Sequence, residues 1–118
     1  MGISVYVDGS GGSSGGYGYF VKETGESFYE KKPEITNNQA EYLAIISALK
    51  KYVDSDEAII IYSDSKNTVN QLNHEFAINN DHLRNLAREA WLIIAKFSSL
   101  SIIWIPRKEN LAGKMLGS

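Results

Sequence analysis

The segment Thr36-Asn37-Asn38-Gln39-Ala40-Glu41 lies at the predicted start of a helix and decides how the rest of the chain is interpreted. Thr36 or Asn37 can cap that helix by accepting a hydrogen bond from a free backbone N–H. Beyond Glu41, one side of the helix carries an inward-facing apolar stripe: Ala44, Ile45, Ala48 and Tyr52. Glu41 heads this stripe, where an apolar residue is expected. Because a buried carboxylate must be paired or hold a metal, the central question is what Glu41 faces.

One predicted strand before this helix ends on an aspartate, and one predicted strand after the helix is followed directly by another aspartate. Residues 3–8, 17–21 and 27–31 have the alternating, turn-bounded pattern of antiparallel strands, and the first ends on Asp8. Residues 58–63 form a nearly continuous apolar run, which is typical of a parallel strand covered on both faces, and Asp64 follows it.

The remaining elements complete an α/β pattern. Helices are predicted over residues 37–53, 65–72 and 82–97, a last strand over 100–105, and a short helix near Asn110. The order βββ-α-β-α-α-β-α predicts one domain, residues 1–118, with a mixed five-stranded sheet flanked by helices. The fourth strand is expected beside the first and parallel to it, because a helical crossover joins them.

This arrangement predicts a cluster of three acids at one sheet edge. Asp8 and Asp64 would lie side by side at the carboxyl ends of their strands, where open α/β sheets bind ligands, and Glu41 can lean over them. Three such carboxylates stay ionised together only near a cation, and hard oxygen ligands favour Mg²⁺ or Mn²⁺. Two ions could activate water for phosphodiester hydrolysis. The alternative is that each aspartate merely ends a strand, where this residue is common.

Bulk properties restrict the partners. The net charge of -2 gives no general attraction to nucleic acid, so a polyanion would have to be held by metal or by a small basic patch. The absence of cysteine excludes disulfides and thiolate zinc sites. No apolar run approaches membrane-spanning length and no signal peptide precedes the first strand, so we expect a cytoplasmic protein with no membrane partner. We also expect it to be a monomer.

The glycine-rich stretch over residues 9–16 has two interpretations. It is either a flexible hairpin loop or a loop whose bare backbone approaches a ligand closely. Its spacing fits neither a Walker loop nor a dinucleotide fingerprint, which argues against mononucleotide binding.

Three segments resemble the signature segments of type 1 ribonuclease H. They are Val5-Tyr6-Val7-Asp8-Gly9-Ser10, Thr36-Asn37-Asn38-Gln39-Ala40-Glu41-Tyr42 and Ile61-Tyr62-Ser63-Asp64-Ser65, and the likeness continues through residues 71–73 and 104–110. The resemblance covers nearly the whole chain in order. It implies a ribonuclease H-like fold with strands 4 and 5 parallel to strand 1. It also implies an endoribonuclease that hydrolyses the RNA strand of RNA–DNA hybrids with two Mg²⁺ ions, or Mn²⁺ in their place, leaving 5′-phosphate and 3′-hydroxyl ends.

The same resemblance implies roles for individual residues. Asp8, Glu41 and Asp64 would be the catalytic metal ligands. Five positions match residues that contact the minor groove and the 2′-hydroxyls of the hybrid: Gly9, Ser10, Asn37, Asn38 and Gln39. Thr36 matches a residue that helps to hold a phosphate of the DNA strand. For the two asparagines, helix capping is the alternative.

The chain departs from the family at its fourth acid. The family has Asn-x-x-Ala-Asp-x-Leu, whereas this chain has Asn110-Leu111-Ala112-Gly113-Lys114-Met115-Leu116, with Lys114 in place of the aspartate. Protonated lysine cannot bind a metal. Asn110 lies one turn earlier and could supply a neutral fourth ligand. The alternatives are a site with three ligands, or a catalytically weakened module that binds RNA–DNA hybrids.

A second departure concerns the grip on a substrate. Residues 74–80 contain no basic protrusion of the kind that many relatives have. The remaining candidates for phosphate contacts are Lys66, Arg84, Arg88, Arg107, Lys108 and Lys114. We expect Trp91 and Trp104 in the core, and His74 and His82 on the surface.

Overall fold

The fold is built on a five-stranded mixed sheet. The structure, a computed structural model, describes the backbone of residues 2–116 and the side chains of residues 2–113. Its strands are β1 (Gly2–Ser10), β2 (Gly16–Val21), β3 (Ser27–Lys31), β4 (Ala58–Ser63) and β5 (Leu100–Trp104). The order across the sheet is β3-β2-β1-β4-β5; β1, β2 and β3 are antiparallel, and β4 is parallel to both β1 and β5. The predicted fold class is therefore confirmed.

The helices are α1 (Asn37–Tyr52), α2 (Lys66–Leu72), α3 (Asp81–Ile94) and α4 (Leu111–Leu116), with a 3₁₀ turn over Arg107–Glu109. The prediction that α3 continues to residue 97 is wrong. The backbone N–H groups of Lys96 and Phe97 donate to carbonyls three residues back, so the helix tightens and ends.

The core lies between α1, α3 and one face of the sheet. Residues of the predicted stripe on α1 are buried, from Ala44 to Tyr52. They pack with alternate side chains of the two central strands: Val5 and Val7 of β1 and Ile59 and Ile61 of β4. The period of the helix and the alternation of the strands therefore agree on the same buried face.

The tryptophans and histidines only partly follow expectation. Trp91 is half-buried and packs against the core, and both His74 and His82 are exposed, as predicted. The prediction that Trp104 lies in the core is wrong, because it ends the edge strand β5 and is 41% exposed. Its indole N–H donates to the backbone carbonyl of Asp64 at 3.2 Å.

The beginning of α1 is fixed by a capping box. The Thr36 hydroxyl accepts from the backbone N–H of Gln39 at 3.0 Å, and the Gln39 side chain accepts from the backbone N–H of Thr36 at 2.9 Å. Asn37 makes a different contact, because its Oδ1 accepts from the backbone N–H of Gly11 at 2.6 Å. Of the two predicted caps, Thr36 is therefore the one that the structure shows, and Asn37 ties the glycine-rich loop to the helix.

Close packing explains the glycine that follows Asp8. A Cβ atom added to Gly9 would lie 2.5 Å from the backbone carbonyl of Ala40, so only glycine lets the end of β1 reach α1. The bare backbone thus approaches the helix that carries Glu41. In the part of the chain that the structure describes, no helix is both long and apolar enough to cross a membrane.

Replacing Thr36 by alanine should lower the free energy of unfolding by about 1 kcal/mol, because the Gln39 N–H then loses its partner. Urea denaturation followed by circular dichroism measures this change. Thr36→Ser is the matched control and should keep most of the stability, since serine retains the accepting oxygen. Equal midpoints for Thr36→Ala and the wild type would show that the capping box contributes nothing.

Candidate active site

Three carboxylates meet at the carboxyl ends of β1 and β4. The parallel pairing places Val7 opposite Ser63, so the residues that follow, Asp8 and Asp64, come out side by side. Glu41 projects from the second turn of α1 toward them. One carboxylate oxygen of each residue lies within 4.8 Å of those of the other two. The structure therefore brings together the three acids that the sequence predicted.

This cluster is shielded from solvent. Asp8 is 3% exposed and Glu41 is 7% exposed, and the Asp64 side chain is 4% exposed. Among the described residues, Oε1 of Glu41 has no hydrogen-bond partner, while the backbone N–H of Gly9 donates to the Glu41 carboxylate. A buried oxygen in that condition is costly unless a cation or a proton supplies the missing interaction.

The pKa of Glu41 shows how strongly its surroundings disfavour a negative charge there. Burial, followed by the charges of Asp8 and Asp64, raises the pKa of Glu41 from 4.5 to about 9. The Gly9 N–H and Arg107 lower that pKa, but by less. Burial and the two neighbouring aspartates therefore favour the protonated form of Glu41 unless a cation is bound.

Among the residues that the structure describes, Arg107 places a cation beside this cluster. Its Nη2 atom lies 3.9 Å from Oδ1 of Asp64, and its side chain is 64% exposed. From the sequence alone, Arg107 is one of several candidates for phosphate contacts. The signal that could have placed it is its position three residues after β5, which is the strand paired with β4.

The residues present fit a divalent cation. The three carboxylates are oxygen donors, the type that Mg²⁺ and Mn²⁺ prefer, and Glu41 offers an oxygen whose hydrogen-bonding capacity is unused by the described residues. Asp8, Glu41 and Asp64 would hold such an ion.

Asn110 lies beside the carboxylates, as the sequence predicted, but with an unexpected set of bonds. It is fully buried, and its Nδ2 atom donates to the Val7 carbonyl at 2.8 Å and to Oδ2 of Asp64 at 2.9 Å. Its Oδ1 atom accepts from the backbone N–H of Ala112 at 3.1 Å. The prediction that this oxygen binds a metal stays a prediction, and the bonds of the structure favour a different role.

The predicted substrate contacts come from the end of β1 and from the start of α1. Gly9 and Ser10 follow Asp8 directly, and Asn37 bridges to the same loop through Gly11. The remaining residues of this group, Thr36, Asn38 and Gln39, lie in the first turn of α1 or at its cap. Gly9, Ser10 and Asn37 are therefore tied to the strand end that carries Asp8, while the contacts of all six residues with a hybrid stay predictions.

The predicted phosphate contacts differ in their surroundings. Arg84 is held on α3 by Asp81, with 2.7 Å between Nη1 and Oδ1, and by the Ile78 carbonyl. Lys66 lies near the site instead, with its Nζ atom 5.7 Å from the ring centre of Trp104. The Lys114 side chain lies outside the described residues.

Two comparisons identify sequences that are similar to this chain. A family model described as "Reverse transcriptase-like" matches residues 20–117. EbsB of Enterococcus faecalis, which is named as a candidate hydrolase, is 30% identical over 122 residues, covering 97% of this chain and 90% of its own.

Solved structures match nearly the whole chain. RNase H1 from the halophilic archaeon Halobacterium salinarum superposes with a TM-score of 0.87 at 27% identity, covering 98% of this chain and 94% of its own. LC11-RNase H1, solved in complex with an RNA/DNA hybrid, has a TM-score of 0.84 at 23% identity, covering 97% of this chain and 92% of its own, and at that identity it shows the fold alone. From the family match, the Halobacterium salinarum structure and the three convergent carboxylates, we conclude that the chain belongs to the type 1 ribonuclease H family.

Proposed function

We propose that this protein is a divalent-metal-dependent endoribonuclease that hydrolyses the RNA strand of RNA–DNA hybrids, leaving 5′-phosphate and 3′-hydroxyl ends. The observation that carries the proposal is the buried convergence of Asp8, Glu41 and Asp64, with oxygens within 4.8 Å of one another. Membership of the family, and the hybrid bound by LC11-RNase H1, support the same class of substrate here.

The three acids would hold the ions that the reaction needs. When bound, two Mg²⁺ or Mn²⁺ ions would supply the Lewis acidity that phosphodiester hydrolysis requires. The protein contributes the positions of the ligands. Asp8 and Asp64 are set by adjacent strands, and the Gly9 N–H orients Glu41. Because these ligands lie on regular elements, little reorganisation is needed when a substrate arrives.

Recognition of RNA would come from the rim formed by residues 9–10 and 36–39. Ser10, Asn37 and Asn38 are exposed there, next to the buried acids, and they carry hydroxyl and amide groups that can donate or accept. The 2′-hydroxyl both donates and accepts, so such groups can distinguish RNA from DNA at this edge.

We expect Asp8→Asn, Glu41→Gln and Asp64→Asn each to lower hybrid cleavage by at least about 100-fold, because each removes charge that the ions require. The measurement uses labelled RNA–DNA, RNA–RNA and DNA–DNA duplexes in Mg²⁺ and in Mn²⁺. Glu89→Gln is a matched control, because Glu89 is an exposed acid on α3 that pairs with Lys50.

Two results would contradict this proposal. Near wild-type turnover in any of the three variants would remove that residue from the site. Binding of the hybrid by the wild type without cleavage in either metal would favour the alternative, a catalytically weakened binding module in which Lys114 replaces the family's fourth acid.

The metal-free protein should lose stability as pH rises. The folded chain keeps the Glu41 proton up to a pKa of about 9, whereas the unfolded chain releases it near 4.5. Between these values the unfolded state binds fewer protons, so rising pH lowers the free energy of unfolding. Denaturation in EDTA at several pH values measures this loss. Glu41→Gln should flatten the decline and Mg²⁺ should reduce it; identical profiles for the wild type and Glu41→Gln would contradict the raised pKa.

Binding to the hybrid should depend only weakly on salt. The net charge is -2 and residues 74–80 contain no lysine or arginine that could form a basic protrusion, so few phosphates can be neutralised. With about three to five phosphate contacts, the slope of log K against log salt should be about -3 to -5. Fluorescence anisotropy with the Asp8→Asn variant avoids cleavage during the titration. A slope near -8 would instead require a basic surface much larger than the one described.

A further inference from the structure

Asn110 connects the acid cluster to the helix that follows it. Its side chain is fully buried, and each of its two polar atoms is engaged. The Nδ2 atom donates to the Val7 carbonyl and to Oδ2 of Asp64, at 2.8 and 2.9 Å. The Oδ1 atom accepts from the backbone N–H of Ala112 at 3.1 Å, at the beginning of α4.

Chemical complementarity determines which way this amide faces. A backbone carbonyl can only accept, so the group opposite Val7 must be the donating NH₂. Flipping the amide would set Oδ1 against that carbonyl and against the Asp64 carboxylate, and would also leave the Ala112 N–H facing a donor. The amide oxygen is therefore directed to the start of α4, while its nitrogen is directed to the acids.

We infer that Asn110 is a positioning residue that orients the Asp64 carboxylate, and that it is not a fourth metal ligand. The inference rests on the proposed function, because it concerns how Asp64 would be presented to a divalent cation. It replaces the interpretation that Asn110 supplies a neutral ligand oxygen.

The geometry gives this role a physical basis. The Val7 carbonyl belongs to the peptide group that leads into Asp8, so one amide joins the backbone at Asp8 to the side chain of Asp64. A hydrogen bond to a carboxylate restricts its rotation and stabilises its charge. Because the donor is neutral, it does so without cancelling the negative charge that attracts a cation.

Substitutions at Asn110 distinguish three roles of this residue: orienting the Asp64 carboxylate, binding a metal, and capping α4. Serine and aspartate both retain an oxygen that can cap α4, and both lose the NH₂ donor. Aspartate adds an anionic oxygen, which would serve a metal ligand but would face two acceptors in the positioning role. Asn73→Ser is the matched control, because Asn73 Nδ2 donates to the Ile102 carbonyl at 2.9 Å without touching the acids.

The measurement is the Mg²⁺ concentration that gives half of the maximal rise in the unfolding temperature, for the full chain without substrate. Loss of an oriented carboxylate should raise this concentration about 10-fold in Asn110→Ser, as expected when a partner of a metal ligand is removed. Asn110→Asp should still bind Mg²⁺ less tightly than the wild type, because its added charge does not restore the donor that orients Asp64. Asn73→Ser should bind Mg²⁺ as the wild type does, even if its stability falls.

Two outcomes would overturn the inference. Tighter Mg²⁺ binding by Asn110→Asp than by the wild type would show that an oxygen at this position serves the ion better than the amide donor does. Wild-type Mg²⁺ affinity in Asn110→Ser would show that Asn110 only caps α4.

A second measurement needs no metal and separates this inference from the proposed function. In the metal-free protein, NMR should show slow hydrogen exchange at the Asn110 side-chain amide, and Asp64→Ala should accelerate that exchange. Rapid exchange in the wild type would contradict the contact itself. If the exchange is slow but no Mg²⁺ binding or hybrid cleavage is found, the proposed function fails while the Asn110–Asp64 contact stands.

Discussion

Mutual repulsion among three buried carboxylates is the constraint on which this site depends. Parallel pairing of β1 and β4 forces Asp8 and Asp64 together, and α1 adds Glu41 above them. The described residues relieve part of the resulting charge, through the Gly9 N–H, the Asn110 amide and the exposed Arg107. The remainder is available to attract a cation, so an arrangement that costs stability in the metal-free chain also supplies the charge and the oxygen donors that suit a divalent ion.

The neighbouring backbone is arranged to keep these acids in place. The capping box at Thr36 fixes where α1 begins, which determines the direction from which Glu41 enters the cluster. Gly9 lets the end of β1 approach that helix, and Asn37 holds the following loop through Gly11. The residues predicted to contact a substrate therefore also build the rim, and substitutions there will change structure and recognition together.

The fold and the three acids could be predicted because both follow from periodicity. Alternation along β1 and the stripe on α1 define the buried face, and the apolar run of β4 marks an inner strand, so aspartates at adjacent strand ends must then meet. Asn110 could be located but not interpreted, because the orientation of its amide depends on the Val7 carbonyl, which is distant in sequence. The exposure of Trp104 could not be predicted from its residue type either. Its apolar side chain predicts burial, but it ends a strand at the edge of the sheet and is therefore exposed.

The bond from Asn110 to Val7 joins residues 103 positions apart, and this separation affects the order of assembly. Contacts between distant positions form only after the entropy of closing a long loop has been overcome. The acid cluster is therefore joined by one of the contacts that lower a folding rate, because nearly the whole described chain must close before this bond can form.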